Sequence, residues 1–317
     1  MTSRLELALG VLNGAVGDYL ARTRNGLATE MTLVHQGRPV PAAAAALARA
    51  YPQASRRAVL LVHGLMCTED VWRLPDGSDY GSLLERDFGW TPLYLRFNSG
   101  LPIPDNGVAL ARLLEALPDV YPGPLEELVF VGFSLGGLVV RSACHEASLA
   151  GSPWLKRVRR AFYVGTPHRG AALERLGRAA AGLLRVIPDP YARLVAELGD
   201  LRSEGIKDLG DADLRHEDRA RRRDGITLRD PQHPVPLLPG IAHHLVAGSV
   251  ARDPRLSLLF GDAVVALSSA TDGSLRAASP LPADRVHVIP EATHLQLAHD
   301  LRVYDRLRAW CAEGPDS

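Results

Sequence analysis

Apolar positions along this chain fall into two kinds of run. One kind is short, β-branched or aliphatic, and nearly unbroken by polar residues: Ala58–Val62, Leu93–Phe97, Leu128–Phe133, Ala161–Val164, His244–Ala247 and Val286–Ile289. Continuous rather than alternating apolarity predicts strands covered on both faces. The other kind recurs at steps of three and four. Leu5, Leu9, Leu12, Val16 and Tyr19 do so and predict an amphipathic N-terminal helix. The segment "DNGVALARLLEAL" predicts another, with Asp105 or Asn106 as its N-cap, and "PAAAAALARAY" reads as a helix with proline at its start. Strands alternating with helices predict an α/β architecture with a mostly parallel sheet flanked by helices.

The alternation lapses between Gly170 and Ile241. That interval opens with helical patterns, "LERLGRAAAGLLRVI" and "YARLVAELGDL", and continues with a stretch dense in charge and then in proline. A segment of this length inside a compact fold is expected to be a lid or cap. The expected organisation is therefore a helical N-terminal extension over 1–57 packed on the core, a core over 58–170 and 241–317, and a lid or cap insertion over 171–240.

Composition narrows the class of partner. The 317 residues carry 36 basic and 36 acidic side chains, which argues against nucleic acid or an anionic membrane as the main partner. The "RARRR" run from Arg219 sits among as many acidic neighbours and reads as a solvated face. Cys67, Cys144 and Cys311 are far apart and lack CxxC spacing, which predicts buried small hydrophobes rather than a disulfide framework or a metal site. Glu6, Asn13 and Asp18 interrupt the apolar N-terminus, and no uncharged apolar stretch is long enough to span a bilayer. A cytoplasmic protein without a transmembrane anchor is expected, and nothing in the sequence supports a homo-oligomer.

The chemistry concentrates around "VFVGFSLGGLVVRSA", residues 129–143. Ser134 stands between a buried strand and a helix-compatible run, with Gly132 two residues before it and Gly136 two after. A sharp strand-to-helix turn of this composition exposes the serine Oγ above the sheet and aims the amides of the following helix at it. A second strand ends in "LVHGLM", where Gly64 lets the backbone turn at the sheet's carboxyl edge. The amides of Leu65 and Leu135 are then the candidate oxyanion donors, with Met66 as the fallback.

Serine needs a base and the base needs an orienting acid. Of eleven histidines, His294 alone follows the last predicted strand on the loop that opens the final helix, with His299 as runner-up. The acid belongs after the penultimate strand, where Asp253, Asp262 and Asp272 are available; Asp262, in "FGDAVVALSSA", is preferred. His63, read as a supporting histidine rather than the base, is placed with Met66 and Phe133 around the substrate pocket. This chemistry calls for neither a metal nor an organic cofactor.

These segments resemble a known family. "LVHGLM", "GFSLGG", "YVGTPHRGA", "GDAVVALSSA" and "THLQL", together with "RFNSGLPIPDNG", are similar to the α/β-hydrolase lipases and esterases. The likeness is strongest to the bacterial lipase-like group related to GPI inositol-deacylases, and it runs from about Ala58 to Arg308. The resemblance implies an α/β-hydrolase fold and a small-molecule or lipid ester as substrate. It implies Ser134 as nucleophile, Asp262 as acid, His294 as base, the amides of Leu65 and Leu135 as oxyanion donors, and Thr166 and His168 at the pocket. Ala263 stands where that family often has glycine. A thioesterase or acyltransferase using the same triad is the alternative, and a ligand-binding protein on a hydrolase scaffold is the alternative from outside enzymes.

Overall fold

The computed structural model describes residues 4–169, 203–223, 235–251, 262, 265 and 283–313. At its centre is an eight-stranded sheet in the order β2-β1-β4-β3-β5-β6-β7-β8. The strands are β1 (Thr32–His35), β2 (Arg38–Val40), β3 (Arg57–Val62) and β4 (Thr91–Arg96). They continue as β5 (Glu127–Phe133), β6 (Val158–Val164), β7 (Ala242–Ser249) and β8 (Val286–Pro290). From β4 to β8 all neighbours run parallel, while β1 and β2 are antiparallel. The helices are α1 (Arg4–Arg22), α2 (Ala44–Ala50), α3 (Tyr80–Phe88) and α4 (Ile103–Val120). After them come α5 (Leu135–Ala150), α6 (Glu204–Asp211), α7 (His216–Arg223) and α8 (Leu301–Ala312).

The unbroken apolar runs are explained by cover on both sides of the sheet. Along β3, Ala58, Leu60 and Val62 point into a core shared with Leu110 and Leu114 of α4 and Leu138 of α5. Val59 and Leu61 point the other way, against Tyr80 and Leu84 of α3 and Leu307 and Trp310 of α8. Every residue from Ala58 to Val62 is thereby fully buried. A mostly parallel sheet sandwiched by helices, with a serine turn at the carboxyl end of β5, is the α/β-hydrolase fold. Among the described residues no helix is long and apolar enough to cross a membrane.

The structure departs from the sequence reading at four places. Strands β1 and β2 lie inside the segment expected to be a helical extension, and they join the main sheet through β4. They are short and carry polar residues, so no apolar run announces them. The local signal was the turn between them, where Gln36 and Gly37 both take positive φ, at 50° and 77°. Helix α2 begins at Ala44, after Pro41, with Ala43 extended as its cap.

Helix α4 begins at Ile103, ahead of the expected caps. The Ile103 amide donates to the Asp208 carboxylate of α6 at 2.9 Å, a cap delivered from 105 residues away. Asp105 instead sits in the first turn, facing the positive end of the helix, and Asn106 donates to the Asn98 carbonyl. Lastly, Arg219 does not face solvent: its guanidinium turns inward to Glu204 and to Asp208, which is fully buried. The described part of the interval is thus docked on the scaffold, with Leu209 and Leu214 in the main core. The helices expected over "LERLGRAAAGLLRVI" and "YARLVAELGDL" lie outside the described residues, as does the cover they were expected to form.

Helix α1 is equally integral. Val11, Leu12, Ala15, Val16 and Leu20 pack with Met66 and Ile206. Asn13, a break in the apolar pattern, is buried and ties α1 to the following loop, donating to the Leu27 carbonyl at 2.9 Å and accepting from the Thr29 amide at 2.8 Å.

Candidate active site

Strand β5 delivers Ser134 to the carboxyl edge of the sheet, and α5 starts at the next residue. Ser134 has φ 52° and ψ −122°, a backbone state that L-residues other than glycine rarely adopt. Its amide donates to the Val164 carbonyl of β6 at 2.8 Å, and its own carbonyl accepts from Gly137 at 3.1 Å. The flanking glycines are needed for approach. A side chain on Gly136 would collide with the carbonyl oxygens of Val62 and His63, and one on Gly132 would lie 2.6 Å from the Gly137 Cα. The helix can therefore press its N-terminus against the ends of both β3 and β5.

Asp262, His294 and Ser134 meet there in one line. The Ser134 hydroxyl donates to His294 Nε2 at 2.8 Å, and His294 Nδ1–H donates to Asp262 Oδ2 at 2.7 Å. The two bonds together define the tautomer, because a carboxylate can only accept. The other Asp262 oxygen accepts from the Val265 amide at 2.7 Å, and the Asp262 carbonyl accepts from the His294 amide at 3.0 Å. Asp262 and His294 are thus tied by backbone as well as by side chain. All three residues are buried, with Ser134 at 4% and His294 at 8% exposure.

The imidazole is held in place by its surroundings. The Phe133 ring packs on it with centroids 5.0 Å apart. A Cβ on Gly165 would lie 3.2 Å from His294 Cε1, and a Cβ on Gly248 would lie 2.9 Å from the Asp262 Cβ. The short helical turn Leu295–His299 follows directly, and the Tyr80 hydroxyl bonds to the Leu297 carbonyl at 2.8 Å. His299, the alternative base, donates from Nδ1 to the Val71 carbonyl at 3.2 Å. Asp253 and Asp272, the alternative acids, lie outside the described residues.

Of the candidate oxyanion donors, Leu135 follows Ser134 directly and Leu65 follows Gly64. Gly64 abuts the serine, since a Cβ there would be 3.1 Å from the Ser134 Cβ. Within the described residues, the Leu65 and Leu135 amides donate to no other protein group, and Leu135 opens α5 at its positive end. The Met66 amide is already engaged, donating to Ser99 Oγ at 3.0 Å.

The residues expected at the pocket are all buried. His63 is stacked on Phe97 at 4.4 Å; its Nδ1–H donates to the Gly64 carbonyl at 2.9 Å and its Nε2 accepts from the Phe97 amide at 3.4 Å. Burial pushes its pKa down to about 4, so the ring is a neutral strut at the end of β3. Met66 packs under α1, and Phe133 packs between His294 and Trp72. Thr166 lies against Gly137. His168 Nδ1 accepts from Arg141 at 3.1 Å, and burial, with that guanidinium beside it, holds the ring well below the usual histidine pKa.

Sequence reasoning passed over Ser99, Gly165 and Gly248. Gly165 had a signal, as the glycine that ends β6 in "YVGTPHRG" with φ 59°. Gly248 and Ser99 act through contacts with distant segments, and no local pattern marks them.

Comparisons with known proteins return matches among solved structures alone. No protein-family model matches the chain, and no curated protein matches it in sequence. Among solved structures it is similar to a Bacillus licheniformis lipase in mature form, at 17% identity and TM-score 0.49, covering 88% of this chain and 97% of that one. It is similar to a Pyrococcus furiosus esterase at 15% identity and TM-score 0.46, covering 81% of this chain and 82% of that one. A lipase-esterase related protein from Clostridium acetobutylicum matches at 13% identity and TM-score 0.41, covering 89% of this chain and 99% of that one. At such identities neither substrate nor activity transfers from these proteins to this chain.

Proposed function

We propose that the protein is a serine carboxylic-ester hydrolase that works through an acyl-enzyme on Ser134. The observation that carries this reading is the unbroken line Asp262–His294–Ser134, with bonds of 2.7 and 2.8 Å, at the carboxyl edge of the sheet. His294 Nε2 takes the hydroxyl proton as Ser134 Oγ attacks the ester carbonyl, and Asp262 stabilises the imidazolium that forms. The oxyanion rests on the Leu65 and Leu135 amides. His294 then returns the proton to the leaving alcohol and activates a water that releases the acid. Within the scaffold, the motifs around these residues favour the lipase-like group related to GPI inositol-deacylases, and hence a lipid or small-molecule ester.

The test is turnover of 4-nitrophenyl esters of graded acyl length by the wild type and by Ser134→Ala. The variant is expected to lose about 10⁴-fold or more in kcat with its fold intact, and to lose labelling by a fluorophosphonate probe. Full activity in Ser134→Ala would overturn the proposal. Transfer of the acyl group to added alcohol in preference to water would replace a hydrolase with an acyltransferase.

A further inference from the structure

Ester hydrolysis through Ser134 requires that the Leu65 amide stay aimed at one point, yet Leu65 stands on a turn rather than on a strand or helix. Cys67 N donates to the Gly64 carbonyl at 3.3 Å, closing a tight turn over Gly64–Cys67. Within it Met66 has φ 59°, a left-handed state that costs a non-glycine residue about 1 kcal/mol or more. Such a turn keeps its form only where its surroundings over-determine it.

Two groups approach the peptide between Leu65 and Met66. One is Ser99, whose Oγ accepts the Met66 N–H at 3.0 Å; both residues are buried. The other is Gly14 of α1, which lies so close that a Cβ on it would fall 2.7 Å from the Met66 nitrogen and 2.8 Å from its Cα. Ser99 is itself braced from both sides. Its neighbour Asn98 donates from Nδ2 to the Gly17 carbonyl at 2.9 Å, and the Gly100 carbonyl accepts from the Gly205 amide of α6 at 3.0 Å. The Ser203 hydroxyl, at the cap of α6, donates to the Gly14 carbonyl at 2.7 Å. Helices α1 and α6 and the 98–101 loop thus close on one another around the turn.

Resting on the hydrolase reading above, we propose that Ser99 is a positioning residue for the oxyanion hole: by binding the Met66 amide, and with Gly14 packed behind it, it holds the turn in the one form that leaves the Leu65 amide facing Ser134. Without the Ser99 hydroxyl the 65–66 peptide is free to rotate, which relieves the strain at Met66 and carries Leu65 away. The donor matters most when charge has built on the carbonyl oxygen, so the loss falls on kcat rather than on KM.

The test measures kcat and KM for 4-nitrophenyl butyrate, and inhibition by an alkyl trifluoromethyl ketone, in the wild type, Ser99→Ala, Gly14→Ala and Ser134→Ala. The ketone adduct with serine carries an oxyanion and so reports the donors directly. Ser99→Ala is expected to lower kcat about tenfold or more with KM within about twofold, and to weaken the ketone by the same factor as kcat/KM. Gly14→Ala, which displaces the same peptide while sparing Ser99, is expected to do likewise and carries the test if Ser99→Ala does not fold. Unchanged kcat in the folded variants, or a fall in kcat with ketone affinity intact, would overturn the role of Ser99 while leaving the hydrolase standing. A wild type that neither turns over the ester nor binds the ketone would overturn both.

Discussion

The two arms of the site are built on different principles. On the serine arm everything is local: the nucleophile candidate, its strained backbone and the glycines that admit it lie within Gly132–Gly137, and the partners they press on are the ends of adjacent strands. On the acid arm the turn is local, closed by Asp262 and Val265, but the bonds that set the arm against the base are not. Asp262 lies beyond β7 in the sequence and is tied to His294, 32 residues on, through one side-chain and one backbone bond. The first arm is held by steric exclusion, which is stiff and unforgiving. The second is held by a few directional bonds, so it can be altered without disturbing the core.

The largest expected effect tests the acid arm as chemistry. Asp262→Asn keeps the shape but offers His294 the wrong hydrogen-bonding group, and kcat should fall about 10³- to 10⁴-fold while the unfolding midpoint barely moves. Near-normal turnover would remove Asp262 from the reaction. Next comes the serine arm as structure. Gly136→Ala forces a methyl group onto the Val62 and His63 carbonyl oxygens and should cost about 3 kcal/mol or more of stability, read by urea unfolding. Gly248→Ala sharpens the contrast from the other side. Its methyl would press on the Asp262 Cβ and the Ala292 carbonyl, so kcat should drop about tenfold with little change in the urea midpoint. If both glycine variants lost stability equally, the two arms would not differ as described.

The effect most localised in conditions is one of pH, read as a slope per pH unit. His63, at the end of β3, has its pKa pushed down to about 4 by burial, against an ordinary value of 6.5. Between those values the unfolded chain holds a proton that the folded one refuses, so the stability linked to His63 is complete above pH 6.5 and is lost as pH falls toward 4. Buried His243 has its pKa lowered to about 4 and adds to the same trend. Stability measured at intervals across that range should fall with a slope of about 1.4 kcal/mol per pH unit from His63 alone, and His63→Asn should flatten it by that amount. An unchanged slope in the variant would assign the acid sensitivity to other groups.

This division explains what could be read from the sequence. Ser134 announces itself because its requirements are met by its immediate neighbours, and the buried strands announce themselves because double-sided cover leaves no room for polar residues. His294 follows from chain order. Asp262 could only be preferred among three aspartates, since what distinguishes it is a contact made across the fold. Strands β1 and β2 were missed because a strand three or four residues long has no periodicity to show. The start of α4 was misplaced because its cap is a carboxylate from α6. Ser99 shows no signal at all: a serine in a loop looks the same whether or not a distant amide points at it.

The backbone of Ser134 has a further consequence. Its φ of 52° and ψ of −122° form a conformation that glycine takes without cost and that a side chain opposes. Glycine at this position would keep the backbone bonds to Val164 and Gly137 and relax the turn, while giving up the hydroxyl's bond to His294. Backbone ease alone would favour glycine there. On the hydrolase reading, the serine marks a compromise in which backbone ease is given up for reactivity, at a residue where the two demands conflict directly.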